Sequence, residues 1–260
     1  MMIKIYIIAL LVFLFLFNKN YNSKNKNVLV MFSGGLDSTT ALYKLLKYTN
    51  FNIYVHHVSL KDSTSRWIYE NKACDEILEH LKKIRNFDYS QSEFFLPMNS
   101  SDELGGSRDD DNTTITFIAS KIFTVEKYKN IDYIVISNLD CELDNSTKTF
   151  MNDMISIMHK YKWSSKKPII YDPLKTFYNS KCKIDENIVN KLLQNIRITK
   201  ETKKNLNYPK IIKQIICSKK KMYNFIPEQI KNKIVYCRNP INNNLKCDKC
   251  INCILWKNIY

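Results

Sequence analysis

Seven consecutive residues of this chain combine glycine, hydroxyl and carboxylate groups in an order that suits phosphate chemistry. They are Ser33, Gly34, Gly35, Leu36, Asp37, Ser38 and Thr39. Paired glycines allow a tight turn whose amide hydrogens point towards a ligand, and a following helix adds unpaired N–H groups. Hydroxyl groups donate further hydrogen bonds, and a carboxylate can hold Mg²⁺ bound to a polyphosphate. We therefore predict that all seven residues bind a nucleotide, and that Asp37 and Ser38 are also catalytic.

This segment differs from the two common glycine-rich nucleotide loops. It lacks the Gly-Lys-Ser/Thr ending of the Walker loop and the Gly-x-Gly-x-x-Gly spacing of dinucleotide-binding folds. An ordinary strand-to-helix turn, with Asp37 or Ser38 as the helix cap, is the alternative interpretation. The chain has only four glycines, and two of them stand side by side here. That usage favours a turn that contacts a ligand.

A second group of chemically capable residues lies near the carboxyl end. Four cysteines fall within 17 residues, at Cys237, Cys247, Cys250 and Cys253. Their spacing suits tetrahedral zinc, which prefers four thiolates in structural sites. An iron–sulfur cluster uses similar ligands, and buried cysteines without a metal are the third interpretation. We predict a metal site, and its clustered cysteines indicate a reducing compartment.

The hydrophobic pattern indicates a scaffold of alternating strands and helices. Strands are predicted at 28–32, 53–58, 90–96, 131–136 and 169–171, and helices at 38–47, 67–84, 113–128, 150–161 and 184–196. Residues 98–112 are polar and are predicted to form a loop. This alternation is typical of an α/β fold with a doubly wound, mainly parallel sheet. Because ligands of such sheets bind beyond the carboxyl ends of the strands, residues 33–38, those after Val58 and 137–144 are expected at one site.

Composition sets the expected organisation and partners. With 260 residues, 45% of them hydrophobic, the chain can bury a core. We predict a nucleotide-binding α/β domain over 28–200 and a helical, metal-binding segment over 201–260 packed on it. The net charge of +15 suits a nucleic-acid partner, but the abundance of lysine and asparagine is equally typical of an AT-rich genome. A tRNA partner is therefore left open and is not favoured.

The first 27 residues are predicted to be a separate extension, with a polar linker after an apolar run. The apolar residues within 3–17 are fewer than the roughly 20 needed to span a bilayer as a helix. Lysines follow the run, which by the positive-inside tendency indicates the cytoplasmic side. We expect membrane association or targeting through residues 3–17. An extension without a role in the fold is the alternative.

The Ser-Gly-Gly-Leu-Asp-Ser-Thr segment resembles the pyrophosphate-binding loop of the N-type ATP pyrophosphatases, which have the adenine nucleotide alpha hydrolase fold. That resemblance implies ATP and Mg²⁺, with an acceptor attacking the α-phosphate while pyrophosphate leaves. With its four-cysteine tail, the chain resembles 7-cyano-7-deazaguanine synthase from about Val28 to Asn258. This family implies a homo-oligomeric ligase with bound zinc in the queuosine pathway. Its reaction converts a purine-like 7-deazaguanine carboxylic acid and ammonia to the nitrile.

The same resemblance supplies candidate substrate-binding residues. Glu142 and Asp144 match the Cys-Glu-x-Asp segment of the family, and Asn112 matches the second residue of its Arg-Asn pair. Three segments differ from the family. Asp111 stands in place of the arginine, and Leu60–Ser63 replaces a Gly-Gln-Arg-His segment. Asn179 stands where the family has a lysine, and the nearest lysine, Lys181, is displaced by two residues.

Two other functions remain open. A thiolase-like enzyme would also adenylate its target, a tRNA, and would need a reactive cysteine, for which Cys141 and Cys182 are candidates. A lone buried cysteine is the favoured interpretation of each. A degenerate homologue that binds a nucleotide without catalysis is the second alternative.

Overall fold

The chain is built around a five-stranded parallel sheet. The computed structural model describes residues 25–61, 66–95, 108–137, 145–161, 163–178, 182–195, 208–237, 246–248 and 250–259. The strands are β1 (Asn27–Phe32), β2 (Asn52–Lys61), β3 (Asp88–Phe95), β4 (Tyr133–Ile136) and β5 (Ile169–Ile170). The α-helices in these ranges are α1 (Leu36–Tyr48), α2 (Arg66–Lys82), α3 (Arg108–Ile122), α4 (Asn145–Lys160), α5 (Glu186–Asn195), α6 (Tyr208–Phe225), α7 (Glu228–Lys231) and α8 (Ile251–Ile259). Short 3-10 turns occupy Glu126–Tyr128 and Lys175–Phe177. The strand order is β3-β2-β1-β4-β5.

Strand β1 is buried on both faces and serves two cores. Val28, Val30 and Phe32 pack with α1, α2 and α6. Leu29 and Met31 pack with α3 and α4 on the opposite face. A strand covered on both faces must be apolar at successive positions, as this run is. The predicted doubly wound α/β sheet is therefore confirmed.

The order of the strands reverses around β1, which pairs in parallel with β2 on one side and β4 on the other. In open parallel sheets, such a reversal leaves a crevice outside the carboxyl ends of the strands, where ligands bind. Here β1 ends at Phe32 and β4 ends at Ile136. The glycine turn therefore begins at this crevice.

Helix α3 begins earlier than the polar pattern predicted. It starts at Arg108, inside the segment predicted as a loop, and ends at Ile122. Acidic residues are stabilising in the first turn of a helix because they face its partial positive charge, so a polar run does not exclude a helix. Asn112 consequently lies on a helix, and its prediction as a loop residue is wrong.

The carboxyl-terminal helices pack both on each other and on the sheet. Helices α5, α6 and α8 share a small core that contains Val189, Leu192, Ile212, Ile216 and Leu255. Helix α6 also contributes Met222 to the core over α1. This double contact fixes the position of α6 beside the glycine turn.

Cys182 and Cys217 form a disulfide, with their Cα atoms 5.5 Å apart. The favoured prediction for Cys182, a lone buried cysteine, is wrong, because its side chain is exposed and bonded. The packing of α5 against α6 brings the segment before α5 to Cys217. This pairing joins residues 35 positions apart, and only the packing of the helices reveals it.

The amino-terminal boundary of the sheet lies at Asn27, one residue before the predicted start of β1. The Asn27 backbone N–H donates to Asp132 Oδ2 at 2.8 Å. The apolar run within 3–17 lies outside the described residues. Among the helices that the structure describes, none has both the length and the apolar character required to cross a bilayer.

Candidate functional site

The turn after β1 has the backbone conformation that paired glycines permit. Gly34 has a φ of +71°, in the left-handed region that L-residues rarely adopt. A β-carbon at Gly34 would lie 3.1 Å from Cys74 Sγ and 3.3 Å from the Cys74 backbone nitrogen. The turn therefore packs directly on α2, and glycine is required there for space as well as for conformation. Gly35 has an ordinary φ of −77° and caps α1.

Two serine hydroxyls close the turn. Ser38 Oγ donates to the Gly35 carbonyl and accepts from the Ser33 backbone N–H, each at 3.2 Å. The Ser33 and Ser38 hydroxyls lie 3.1 Å apart, and the Gly35 N–H donates to Ser33 Oγ at 3.4 Å. Ser38 is buried, whereas Ser33 is exposed. These bonds hold the hydroxyls and the first amides of α1 around one small concave surface, which suits an anion.

The remaining residues of the predicted nucleotide segment have less access to a ligand. The side chains of Leu36 and Thr39 are buried. The Thr39 N–H donates to the Gly35 carbonyl at 3.0 Å, as the first bond of the helical ladder. The amides at the very start of a helix have no partner within the helix. Leu36 can therefore contribute its backbone amide to an anion, and Thr39 supports the helix.

Asp37, in the first turn of α1, forms an ion pair that the sequence did not predict. Its Oδ2 lies 2.7 Å from Nζ of Lys219 on α6, and the two side chains are only 16% and 15% exposed. Lys219 is one of several lysines on α6, so its type and spacing gave no signal. The packing of α6 against α1 is what places Lys219, and not another of these lysines, beside Asp37.

An open cleft of about 550 Å³, mouth included, lies beside the turn. Its apolar lining consists of Met31, Phe32, Val58, Leu60, Ile115 and Ile136. Its polar lining consists of Ser33, Ser38, His56, Arg66, Glu70 and Ser137. The lining thus mixes apolar and polar groups, which a small molecule with both kinds of surface would fit, and the cleft is continuous with the glycine turn through Ser33 and Ser38.

Two adjacent histidines of β2 face opposite sides of the sheet. His56, in the cleft, has its ring nitrogens 2.8 and 2.9 Å from the Ser90 and Ser92 hydroxyls. Burial, and then the nearby His57, lower the pKa of His56 to about 4, so it is neutral at pH 7. His57 Nδ1 donates to the Phe32 carbonyl at 2.8 Å. His56 therefore serves as a fixed wall of the cleft, and His57 holds the end of β1.

Arg66 and Glu70 are cleft residues that sequence reasoning missed. They form an ion pair across one turn of α2, with Arg66 Nε 2.6 Å from Glu70 Oε1. The available signal was an arginine and a glutamate four residues apart at the start of the helix that follows β2. That position lies at the edge of the sheet where ligands bind.

The four carboxyl-terminal cysteines converge as predicted. Their sulfur atoms all lie within 4.8 Å of one another. The Cys247 N–H donates to Cys237 Sγ and the Cys250 N–H donates to Cys247 Sγ, each at 3.2 Å. Burial and the neighbouring Cys250 raise the pKa of the Cys253 thiol, so a bound cation is needed to ionise it at neutral pH. The group is therefore arranged to hold a metal ion.

The spacing of these sulfurs can be compared with the ligand spacing around a single ion and around an iron–sulfur cluster. Zinc–sulfur bonds of about 2.3 Å in a tetrahedron place the sulfurs about 3.8 Å apart. A four-iron cluster binds each thiolate through a different iron and spreads the sulfurs more widely. The observed limit of 4.8 Å favours a single ion.

The cysteine group and the glycine turn are neighbours in space. The Val235 N–H, two residues before Cys237, donates to the Gly34 carbonyl at 3.4 Å. The next residue, Tyr236, stacks on Trp256 of α8 with ring centroids 4.1 Å apart. Segments from opposite ends of the chain are thus joined, because the segment that leads into Cys237 contacts the turn through Val235.

The structure describes only one of the predicted substrate-binding residues, and that one only by its backbone. Glu142, Asp144 and Cys141 lie outside the described residues, and Asn112 is described by its helical backbone alone. Ser137, which precedes that segment, lines the cleft. Its hydroxyl has no hydrogen-bond partner among the residues that the structure describes.

No family model matches this chain, and no curated protein matches it. Among solved structures, it is similar to the U34-tRNA thiolase NcsA from Methanococcus maripaludis, whose structure contains its 4Fe-4S cluster. The two share 16% sequence identity, with a TM-score of 0.42. The similarity covers 89% of this chain and 81% of that one.

Proposed function

We propose that this chain is an ATP-dependent adenylating enzyme of the N-type ATP pyrophosphatase group. The observation that carries the proposal is the glycine turn. Its positive-φ Gly34, its two serine hydroxyls and the start of α1 stand together where the strand order reverses. Helix amides and hydroxyls at such a position bind phosphate groups. The adjoining cleft would hold the nucleotide base between its apolar side chains.

In the proposed adenylation, negative charge develops on the departing pyrophosphate. An acceptor oxygen attacks the α-phosphorus of ATP, the bond from that phosphorus to the bridging oxygen breaks, and pyrophosphate leaves with the negative charge. The exposed hydroxyl of Ser33 and the first amides of α1 would stabilise that charge by hydrogen bonds. Ser38, whose hydroxyl donates to the Gly35 carbonyl, would keep the turn in the conformation that presents them. A magnesium ion, for which Asp37 offers a carboxylate, would add positive charge at the leaving group. No protein nucleophile is required.

We further propose a 7-deazaguanine carboxylic acid as the acceptor and free ammonia as the nitrogen donor. The combination of the glycine turn with a four-cysteine group supports this choice. Ionised Glu142 and Asp144 would accept hydrogen bonds from the base, with Asn112 as a further contact. A carboxylate has two oxygens and a nitrile has none. Each oxygen must leave on AMP, so the reaction consumes two ATP per nitrile.

For the cysteine group we propose one zinc ion with a structural role. Cys237, Cys247, Cys250 and Cys253 leave no open position on a tetrahedral ion, so the ion would support the fold near the turn. A homo-oligomeric state, a location on the cytoplasmic side and membrane association through residues 3–17 remain predictions.

The decisive experiment measures pyrophosphate release by the purified chain from ATP, the deazaguanine acid and ammonia. We expect release that depends on the acid, and loss of release in Asp37→Ala. Asp153→Ala, an exposed carboxylate of α4, is the matched control and should retain it. Release with tRNA but with no deazaguanine acid would replace this function with the thiolase-like one. Binding of ATP without release of pyrophosphate from any acceptor would indicate the degenerate homologue.

A further inference from the structure

Lys219 reaches the phosphate-binding turn from a distant part of the chain. Its Nζ lies 2.7 Å from Asp37 Oδ2, and the two residues are 182 positions apart. Both side chains are largely shielded from water. A lysine placed here needs an explanation, because removing an ammonium group from water costs free energy.

The position of helix α6 does not depend on this ion pair. Met222 and Ile226 anchor the helix and its end in the core over α1, and Ile216 anchors it in the core shared with α5 and α8. Lys221 Nζ also donates to the Thr176 carbonyl at 3.1 Å. Because the desolvation cost of a part-buried pair offsets much of its attraction, stability alone gives a weak reason for Lys219.

The charge at the turn gives a stronger reason. A lone carboxylate in the first turn of α1 would repel a polyphosphate, and the Lys219 ammonium neutralises it. The lysine ammonium has three donors on a flexible four-carbon stem. It can therefore turn from the carboxylate to a phosphate oxygen close by, while a metal ion takes its place at Asp37.

We propose that Lys219 is a phosphate-contacting residue of this site, which Asp37 holds in position until a polyphosphate binds. The assignment rests on the proposed ATP site and adds to it a cation from α6. Lys219 contacts the β- and γ-phosphates and stabilises the charge of the departing pyrophosphate. The Asp37 carboxylate passes from the ammonium to the metal ion that accompanies the nucleotide.

The test uses inorganic pyrophosphate as the probe, with binding to the full chain measured by calorimetry with and without Mg²⁺. Lys219→Met keeps the length of the side chain and removes its charge. We expect metal-free binding to weaken about tenfold or more, since a hydrogen bond to a charged group is lost. Saturating Mg²⁺ should reduce that loss. Lys220→Met, at an exposed neighbour on α6, is the matched control and should stay within about twofold of the parent.

A second variant decides the matter if Lys219→Met does not fold. Asp37→Asn releases the ammonium, so metal-free pyrophosphate should bind at least as tightly as to the parent, and Mg²⁺ should no longer strengthen binding. Equal losses in Lys219→Met with and without Mg²⁺, an unchanged affinity in that variant, or weaker metal-free binding by Asp37→Asn would overturn the assignment. If the parent chain binds no pyrophosphate, the proposed function fails together with this inference.

Discussion

Replacing either glycine of the turn with alanine adds the same methyl group, but the expected results at Gly34 and Gly35 differ. At Gly34, φ is +71°, a conformation that costs an L-residue about 1–2 kcal/mol. The new β-carbon would also lie 3.1 Å from Cys74 Sγ and 3.3 Å from the Cys74 backbone nitrogen. Relief requires α2 to move, and overpacking of this kind costs about 1–3 kcal/mol.

The unfolded state offsets part of these costs. Alanine restricts the unfolded chain and returns about 0.4–1 kcal/mol at either position. For Gly34→Ala we therefore expect the free energy of unfolding to fall by about 1–5 kcal/mol, with a central value of about 3 kcal/mol. At Gly35 the φ is ordinary, and a β-carbon would lie 3.4 Å from Ser33 Oγ and 3.7 Å from the Val235 carbonyl oxygen. Gly35→Ala should stay within about 1 kcal/mol of the parent.

Urea unfolding followed by circular dichroism measures both variants, and pyrophosphate binding reports on the turn itself. A Gly34→Ala/Cys74→Ala double variant measures the part of the cost that the sulfur contact causes. It removes that contact and keeps both the strained φ and the 3.3 Å approach to the backbone nitrogen of residue 74. We expect it to recover about 1 kcal/mol of coupling energy relative to the sum of the single variants. Equal losses at Gly34 and Gly35, or a Gly34→Ala chain as stable as the parent, would refute the reasoning.

Three further predictions concern other parts of the chain. Removing residues 1–24 should leave pyrophosphate binding unchanged by calorimetry. A truncation that also removes Asn27 should lower the Tm, because its backbone amide donates to the carboxylate of Asp132, the residue before β4. Reducing the Cys182–Cys217 bond should lower the free energy of unfolding by up to about 4 kcal/mol, which is the loop-closure entropy term for a separation of 35 residues. A urea midpoint that does not change on reduction would contradict this. Burial, with a smaller effect of the adjacent histidine, lowers the pKa of His56 from 6.5 to about 4 in the folded chain, so the unfolded chain binds the proton first. Stability should therefore be complete above about pH 6.5 and fall by up to about 3 kcal/mol towards pH 4, and His56→Gln should flatten that part of the urea-unfolding profile.

The order of apolar, polar and glycine residues along the chain was sufficient to predict the main features of the fold and of the glycine turn. The apolar run of β1 required cover on both faces, and the alternation of elements required a parallel sheet. The glycine pair predicted a turn with unusual backbone angles, which Gly34 has. The spacing of Cys247, Cys250 and Cys253 likewise predicted that their sulfurs converge, as they do. These features depend on neighbours in sequence, so the residue types alone carry the signal.

Other features depended on which helix faces meet. Lys219 shares α6 with several other lysines, and only the packing of that helix against α1 directs this one to Asp37. The pairing of Cys182 with Cys217 likewise follows from the contact of α5 with α6. The sequence by itself therefore determined the sheet, the glycine turn and the cysteine group. The tertiary structure decided which distant charges and thiols reach them, because burial of apolar helix faces, and not the polar residues, sets how the helices pack.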